Sequence, residues 1–340
     1  MGQTDTPEDR SYVPRGVAQV SPPENVKTQH FVFILLPKLS MLAFSSAIEP
    51  LRIANQLTGQ ALYTWETRSE EGKPVDCSNG VPIQVDAPLG TVPKGATILV
   101  CSGVEPERSC SDRVAAWVRE GWRHGGVVGG LCTGAYTLAK AGILQGHQFT
   151  LHWENEPAFS ANFPTLKPLE KLYTIDKRIM TSSGGASATD LMLKLILDEY
   201  GFDLFHAVMD MCIHPYHRSG DQLQKLRSSY VLGTRHPKLL AIVESIENSL
   251  EDDIDLGILA QDHGISRRQM ERLFKKYTGA SPAQFLSGLR LARARALLLE
   301  TDMTVAQVCM AAGFGNAVHF ARLFRAKYGI SPARFSAQHY

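Results

Sequence analysis

Unbroken apolar runs alternate with helical stripes over the first two thirds of the chain. Helical stripes alone fill the last third. His30-Phe31-Val32-Phe33-Ile34-Leu35-Leu36 is a continuous apolar run that stops at Pro37, and Thr97-Ile98-Leu99-Val100-Cys101 and Val127-Val128-Gly129-Gly130-Leu131 repeat the pattern. Such runs fit strands buried on both faces, as in a parallel sheet. Between them, Ser40 to Gln56 places Leu42, Ala43, Ala47, Ile48, Leu51 and Ala54 at helical spacing, and Thr58-Gly59 ends the stripe. Ser111 to Glu120, Thr133 to Ala141 and Ser187 to Tyr200 read as further helices, the last stopped by Gly201. Shorter strands are predicted at Tyr63 to Arg68, Val81 to Val85, Phe149 to His152 and Ile179 to Ser182. This alternation predicts a doubly wound α/β domain with a parallel sheet. In such sheets ligands bind beyond the carboxyl ends of the strands.

The pattern changes at His214. Residues 214–236 are polar, carry His214-Pro215, Ser219-Gly220, Gly233 and His236-Pro237, and read as a linker, with helical character around Asp221 to Ser228. From 237 to 340 the chain reads as an all-α domain. Pro237 opens an amphipathic helix with Leu239, Leu240, Val243, Ile246 and Leu250 on one stripe. The acidic Glu251-Asp252-Asp253-Ile254-Asp255 reads as a solvated turn lending negative charge to the next helix start.

An internal repeat then organises the domain. Arg272-Leu273-Phe274, Gly279, Ser281-Pro282-Ala283 and Phe285 recur 50 positions later as Arg322-Leu323-Phe324, Gly329, Ser331-Pro332-Ala333 and Phe335. Upstream, His263-Gly264-Ile265-Ser266 aligns with Ala312-Gly313-Phe314-Gly315-Asn316 after a one-residue slip. Short helix, glycine turn, longer helix is a helix-turn-helix, used twice. The helix expected from Pro282 to Leu299, about 27 Å long at 1.5 Å per residue, separates the two readers. Major grooves on one face of DNA recur roughly every 34 Å.

Composition adds limits. The 340 residues are 44% hydrophobic and 20% charged, ordinary for a globular chain with a sizeable core. Residues 1–28 hold prolines and charges without an apolar run, and read as a disordered lead-in, not a signal peptide. No window is apolar enough for a membrane span, so no membrane partner is expected. The six cysteines form no C-x-x-C pair or zinc pattern, which predicts reduced thiols in a cytoplasm and neither metal nor cofactor. Charge alters the picture more. Residues 264–340 hold twelve lysines and arginines against three acids, a local +9 in a chain of +1. That is the footprint of a phosphate-backbone partner, double-stranded DNA.

On the first reader, Arg267, Arg268, Glu271, Arg272 and Lys275 lie off the buried stripe of Met270, Leu273 and Phe274. An arginine fork matches guanine O6 and N7, a glutamate accepts from the cytosine amino group, and a lysine further along suits phosphate. Glu271 has an alternative role in an intrahelical pair. On the second, Asn316, Ala317, Val318, His319 and Arg322 are the candidates, with Ala317 and Val318 suited to a thymine methyl.

These residues resemble the AraC/XylS family of transcription regulators. The resemblance rests on Gly264-Ile265-Ser266, Arg272 to Lys276, Ser281-Pro282, Gly313-Phe314, Phe320-x-Arg322-x-Phe324 and Ser331-Pro332, and covers 237–337.

The α/β half carries a second motif. Gly130-Leu131-Cys132-Thr133-Gly134 sits between a strand and a helix, as a nucleophile elbow does. A helix N-terminus beside Cys132 is expected to lower its thiol pKa, and His152 follows the next strand as a candidate base. The pattern is similar to the class I glutamine amidotransferase-like, PfpI-like fold over 30–205. Hydrolases of that group carry an acid just after the first strand. Here Lys38 to Ala43 holds none, and Glu49 comes two turns too late. Cys132 therefore has three open roles: catalysis in a cysteine-dependent amidase with an appended DNA-binding module, lining of an effector pocket, or an inherited fold position.

The combined architecture resembles the GlxA-like regulators, with 29–213 as effector-sensing domain and 237–340 as DNA-binding domain. Ala47-x-Glu49-Pro50-Leu51-Arg52, His152-Trp153-Glu154 and Thr181 to Gly185 look most like regulators of glycine betaine, carnitine and arginine catabolism. The resemblance implies an activator, not an enzyme, that meets RNA polymerase, forms a homodimer and responds to a small amine or amino-acid-like effector. Glu49, Cys132, Thr133, His152, Trp153 and Gly184 are the candidate effector residues. Trp153 is either a cation–π face for a quaternary ammonium, with Glu49 or Glu154 as countercharge, or a packed core aromatic. Gly184-Gly185 either receive a carboxylate or form a tight turn.

Overall fold

The computed structural model describes residues 11–21, 27–224, 234 and 236–337. The chain divides into two compact units, Met1–Gln224 and Lys225–Tyr340.

In the first unit the strands are β1 (Gln29–Leu35), β2 (Tyr63–Ser69), β3 (Val75–Asp76), β4 (Pro82–Ile83), β5 (Ala87–Pro88), β6 (Thr97–Cys101), β7 (Val127–Leu131), β8 (Tyr173–Asp176) and β9 (Ile179–Ser182). The helices are α1 (Met41–Thr58), α2 (Pro106–Ser109), α3 (Asp112–Arg123), α4 (Ala135–Lys140), α5 (Glu156–Asn162) and α6 (Ser187–Met211). Seven strands form one sheet in the order β5-β2-β1-β6-β7-β9-β8, parallel except that the edge strand β8 runs antiparallel to β9.

The apolar runs explain the layers. Along β1, Phe31, Phe33 and Leu35 point to one face and pack with Ala47 and Leu51 of α1 and Leu191 and Ile196 of α6. The alternate Val32 and Ile34 point to the other face, against Val114 and Val118 of α3 and Leu138 of α4. A strand covered on both faces has no polar side to alternate with.

Several expectations change. Phe149 to His152 is not a strand: Thr150 N donates to the Thr181 hydroxyl at 2.8 Å instead of joining a ladder. Val81 to Val85 shrinks to β4, which pairs with β3 outside the main sheet. Gly201 (φ 79°, ψ −173°) breaks α6 without ending it, and helix resumes to Met211. In the lead-in, residues 1–10 and 22–26 lie outside the described residues. Residues 11–21 are not loose: Tyr12 Oη donates to Trp65 O at 2.8 Å, and Val20 N to Leu57 O at 2.8 Å.

Residues 214–224, read as the start of a linker, are fastened into the first unit. Asp190, fully buried on α6, holds them. Its carboxylate accepts from Arg218 N and Arg218 Nε at 2.9 Å each, and faces His214 Nε2 at 2.9 Å. A buried carboxylate needs such partners. Most of the helical character expected between 221 and 228 falls outside the described residues.

The second unit holds α7 (Pro237–Asn248), α8 (Leu256–Asp262), α9 (Arg267–Thr278), α10 (Pro282–Glu300), α11 (Val305–Ala311), α12 (Ala317–Tyr328) and α13 (Pro332–Ala337). Two cores form. Leu239, Ile242, Val243 and Ile246 of α7 meet Leu256, Ala260, Met270, Phe274 and Leu286. Leu291, Leu297 and Leu298 of α10 meet Val308, Phe314, Phe320, Phe324 and Phe335. The helix α10 thus supports the second reader as α7 supports the first. The repeated Ser-Pro step opens a helix both times, and α13 is an element the sequence pattern did not assign.

Candidate nucleic-acid interface and effector site

Local signals set each reading helix. Ser266 caps α9 by accepting from Gln269 N, while Gln269 returns a bond to Ser266 N, a complete capping box. Gly279 (φ 72°) closes the other end in the left-handed conformation. Asn316 caps α12, its side-chain oxygen accepting from His319 N at 2.9 Å, and Gly329 (φ 82°) ends it.

Met270 and Phe274 hold α9 to its core, and Phe320 and Phe324 hold α12. The opposite side of each helix is exposed. On α9 that leaves Arg267, Arg268, Arg272 and Lys275 outward and Glu271 half-buried. Among the described residues Arg268, Glu271 and Arg272 make no ion pair, so the intrahelical alternative for Glu271 gains nothing from the structure. Lys275 Nζ bends to Gly279 O at 3.1 Å. On α12, Asn316, Ala317, Val318, His319 and Arg322 are all exposed, Val318 to 80%. His319 Nδ1 lies 3.3 Å from the Arg322 guanidinium.

The +9 stretch is not uniformly available. Arg290 Nε donates to Leu250 O at 2.9 Å and its guanidinium reaches Asp252 O. Arg293 donates to Ala311 O at 3.1 Å and forms an ion pair with Glu251. The acidic turn is exposed, as expected, and through its backbone carbonyls and Glu251 it also braces α7 against α10. Its last acid does serve the next helix: Asp255 caps α8, accepting from Gly257 N and Ile258 N, and those bonds hold its carboxyl below the usual range.

In the first unit, β7 leads into the elbow. Cys132 takes φ 60°, left-handed for a non-glycine residue, at a cost of about 1–2 kcal/mol. The surroundings enforce it. Cys132 N donates to Ser182 O at 2.9 Å, and His152 N donates to Cys132 O at 3.1 Å. Gly184 (φ 92°) closes over the thiol: a Cβ there would lie 2.8 Å from Cys132 Cβ and 3.1 Å from Sγ. Thr133 is buried, its hydroxyl donating to Gly103 O at 2.6 Å and lying 2.9 Å from the Ser102 hydroxyl. It ties the loop after β6 to the elbow.

The thiol is not activated. Burial pushes Cys132 up to about 12; a backbone hydrogen bond at Thr133 opposes the shift, and the Glu154 carboxylate adds to it. The expected lowering by the helix start loses to desolvation, because only 8% of Cys132 is exposed and α4 is one short helix of six residues. Within the expected pair, His152 Nδ1 accepts from Glu154 N at 3.4 Å. A thiol of this kind is roughly one part in ten thousand ionised at pH 8, so alkylation by iodoacetamide should run about a thousandfold slower than at an unstructured cysteine. Peptide mass spectrometry after timed labelling reads this; prompt modification of Cys132 in the folded chain would refute the burial account.

Around the elbow the structure collects Cys132, Thr133, His152 and Gly184, with Glu154 near enough to bias the thiol. Trp153 is 45% exposed, so the core-aromatic alternative is set aside. Leu42, 60% exposed, stands on the first turn of α1, its Cδ2 3.9 Å from where a Gly185 Cβ would be. Glu49 is not brought here: it pairs with Arg52 at 2.7 Å and lies near Cys212. The Gly184 amide is engaged with Ser182 Oγ at 3.2 Å. The sequence pattern put Leu42 on the apolar stripe of this helix, whereas the structure leaves it exposed.

Comparison with known proteins bears on both units. Residues 259–338 match a helix-turn-helix domain and residues 41–198 match the DJ-1/PfpI family. The chain is 40% identical over 311 residues to the HTH-type transcriptional regulator GbdR of Pseudomonas aeruginosa, covering 92% of this chain and 85% of that one. The chain belongs to the AraC family of helix-turn-helix transcriptional regulators. It is also 38% identical over 307 residues to the regulator CdhR of the same organism, covering 90% and 91%. A crystal structure of an AraC family regulator from Pseudomonas putida is 24% identical and covers 54% of this chain and 99% of that one, with a TM-score of 0.49. These relatives are transcriptional regulators, not enzymes. Among the described residues, no helix is long and apolar enough to cross a membrane.

Proposed function

We propose that this regulator activates a catabolic operon in the cytoplasm in response to a small amine or amino-acid-like metabolite of the glycine betaine, carnitine or arginine class. The effector site is the elbow rim. The observation that carries the reading is the exposed Trp153 indole beside Glu154, at the end of the sheet where such folds take ligands. An indole face and a nearby carboxylate suit a quaternary ammonium or guanidinium. Arg267, Arg268, Glu271 and Arg272 on one reader, and Ala317, Val318, His319 and Arg322 on the other, contact DNA, with Lys275 and the Asn316 cap at phosphates. Function as a homodimer that engages RNA polymerase completes the proposal.

Thermal shift of the full chain against glycine betaine, carnitine and arginine tests the effector. One of them at 100 times its Kd adds about 2.7 kcal/mol, a rise of roughly 5–10 °C for a unit of this size. Trp153→Ala should weaken that ligand about tenfold. No shift with any of the three would sink the effector class.

A further inference from the structure

The first unit ends on a side chain wired into the wall of the elbow. Gln224 Nε2 donates to Thr150 Oγ1 and Leu151 O at 2.8 Å each and approaches Lys171 O at 3.1 Å. Gln224 Oε1 accepts from Trp153 N at 2.9 Å. The preceding amide, His152 N, donates to Cys132 O at 3.1 Å. Two consecutive backbone amides therefore hold opposite things: one the elbow, the other the last described residue before the second unit. The approach to Gln224 is fastened as well. Leu172 N donates to Gln222 O at 3.0 Å, Gln224 N to Glu170 O at 3.2 Å, and Lys171 pairs with Asp221 at 2.7 Å. Upstream, the Asp190 cluster fixes 214–218 to α6, whose N-terminal turn follows Gly184 at the thiol.

We propose that Gln224 is a positioning residue that reports occupancy of the elbow site to the chain leading into the DNA-binding unit. The proposal rests on the reading that the elbow rim binds the effector. A ligand on Trp153 and Glu154 touches the stretch whose backbone Gln224 reads. Hydrogen bonds weaken steeply with distance and angle, so a small shift of Trp153 N alters its bond to Gln224 Oε1 directly. A ligand moves an equilibrium only by its differential affinity for the two states. Here Trp153, shared by the site and the clip, supplies the difference. A glutamine in a polar stretch gives no sequence signal of this role, because all its partners are brought by tertiary structure.

Limited trypsin digestion of the full chain tests it, read as cleavage after Lys225 and Arg227, which follow the clip directly. Gln224→Leu should speed cleavage roughly tenfold. Gly184→Ala, which forces a Cβ onto Cys132, should speed it too, and the double variant should cleave no faster than the faster single one. Cleavage of Gln224→Leu at the wild-type rate, or effects that multiply in the double variant, would overturn the proposal. If Gln224→Leu does not fold by circular dichroism, Gln224→Glu keeps the acceptor for Trp153 N and removes the donor. It should then cleave faster than wild type, and an unchanged rate overturns the proposal. Glycine betaine, carnitine and arginine form the last arm. A ligand that alters cleavage equally in wild type and Gln224→Leu also overturns it. If none alters wild-type cleavage while the variants behave as stated, the effector class fails and the clip stands.

Discussion

Gly313→Ala destabilises the DNA-binding unit by roughly 3–5 kcal/mol, while Gly264→Ala, at the matching turn of the first repeat, costs about 1–2 kcal/mol. Both glycines are left-handed, at φ 79° and φ 64°. The conformational cost is therefore shared, and the difference lies in what surrounds each turn. A Cβ on Gly313 would meet Leu250 O at 2.1 Å and Arg290 Nε at 2.8 Å. Those two atoms are bonded to each other at 2.9 Å, and the bond is part of the brace between α7 and α10. The added carbon must displace a backbone carbonyl and free a guanidinium. A Cβ on Gly264 would meet only Lys238 Nζ at 3.4 Å, the far end of a flexible side chain. Denaturant unfolding of the two variants measures the contrast. Equal losses would mean that the 250–253 turn does not hold the second reader.

Alanine at Arg267, Arg268 and Arg272 together should weaken binding to the regulator's own upstream DNA by about 100- to 1,000-fold at physiological salt. These guanidiniums are exposed on one side of α9, and Arg268 and Arg272 have no ion pair among the described residues. Each one that reads a base edge is worth about 1–3 kcal/mol, and each that neutralises a phosphate contributes about 0.9 to the slope of log affinity against log salt. Val318→Ser on the second reader should behave differently. An 80% exposed valine carries no charge, so the salt slope should stay at its wild-type value while preference at one base pair relaxes. Fluorescence anisotropy across a salt series separates the two. A triple variant with the wild-type slope would show that α9 is not the electrostatic reader.

The reading helices were legible because their signals are local. Ser266 with Gln269, the glycines at 279 and 329, and the stripes of Met270 and Phe274 or Phe320 and Phe324 mark starts, ends and buried faces within one turn of the residue concerned. The parallel strands were legible for the same reason, since burial on both faces leaves an unbroken apolar run. What escaped depends on distant partners. The run Phe149 to His152 has strand composition, but its amides are taken by Thr181 and Cys132. The acids after Leu250 are exposed as the sequence suggests, but the turn's role as a brace escaped, because Arg290 and Arg293 come about 40 residues later. At the elbow, sequence gave the turn but not its chemistry. The helix start that would acidify a thiol is adjacent in the chain, whereas the segments that bury Cys132, Ser182 to Gly184 and His152 to Glu154, are not. Asp190 left one trace, an acid in the apolar first turns of α6.

Hydroxyl-radical footprinting of the full chain on its own upstream DNA, across a salt series, tests the central claim that two unlike readers on one chain grip adjacent grooves. The helix α10 between them has 19 residues, about 28 Å at 1.5 Å per residue. The account predicts two protected windows per binding site on one face of the duplex, about 10 base pairs apart, lost together as salt rises. A single window, or protection indifferent to sequence and salt, would contradict it.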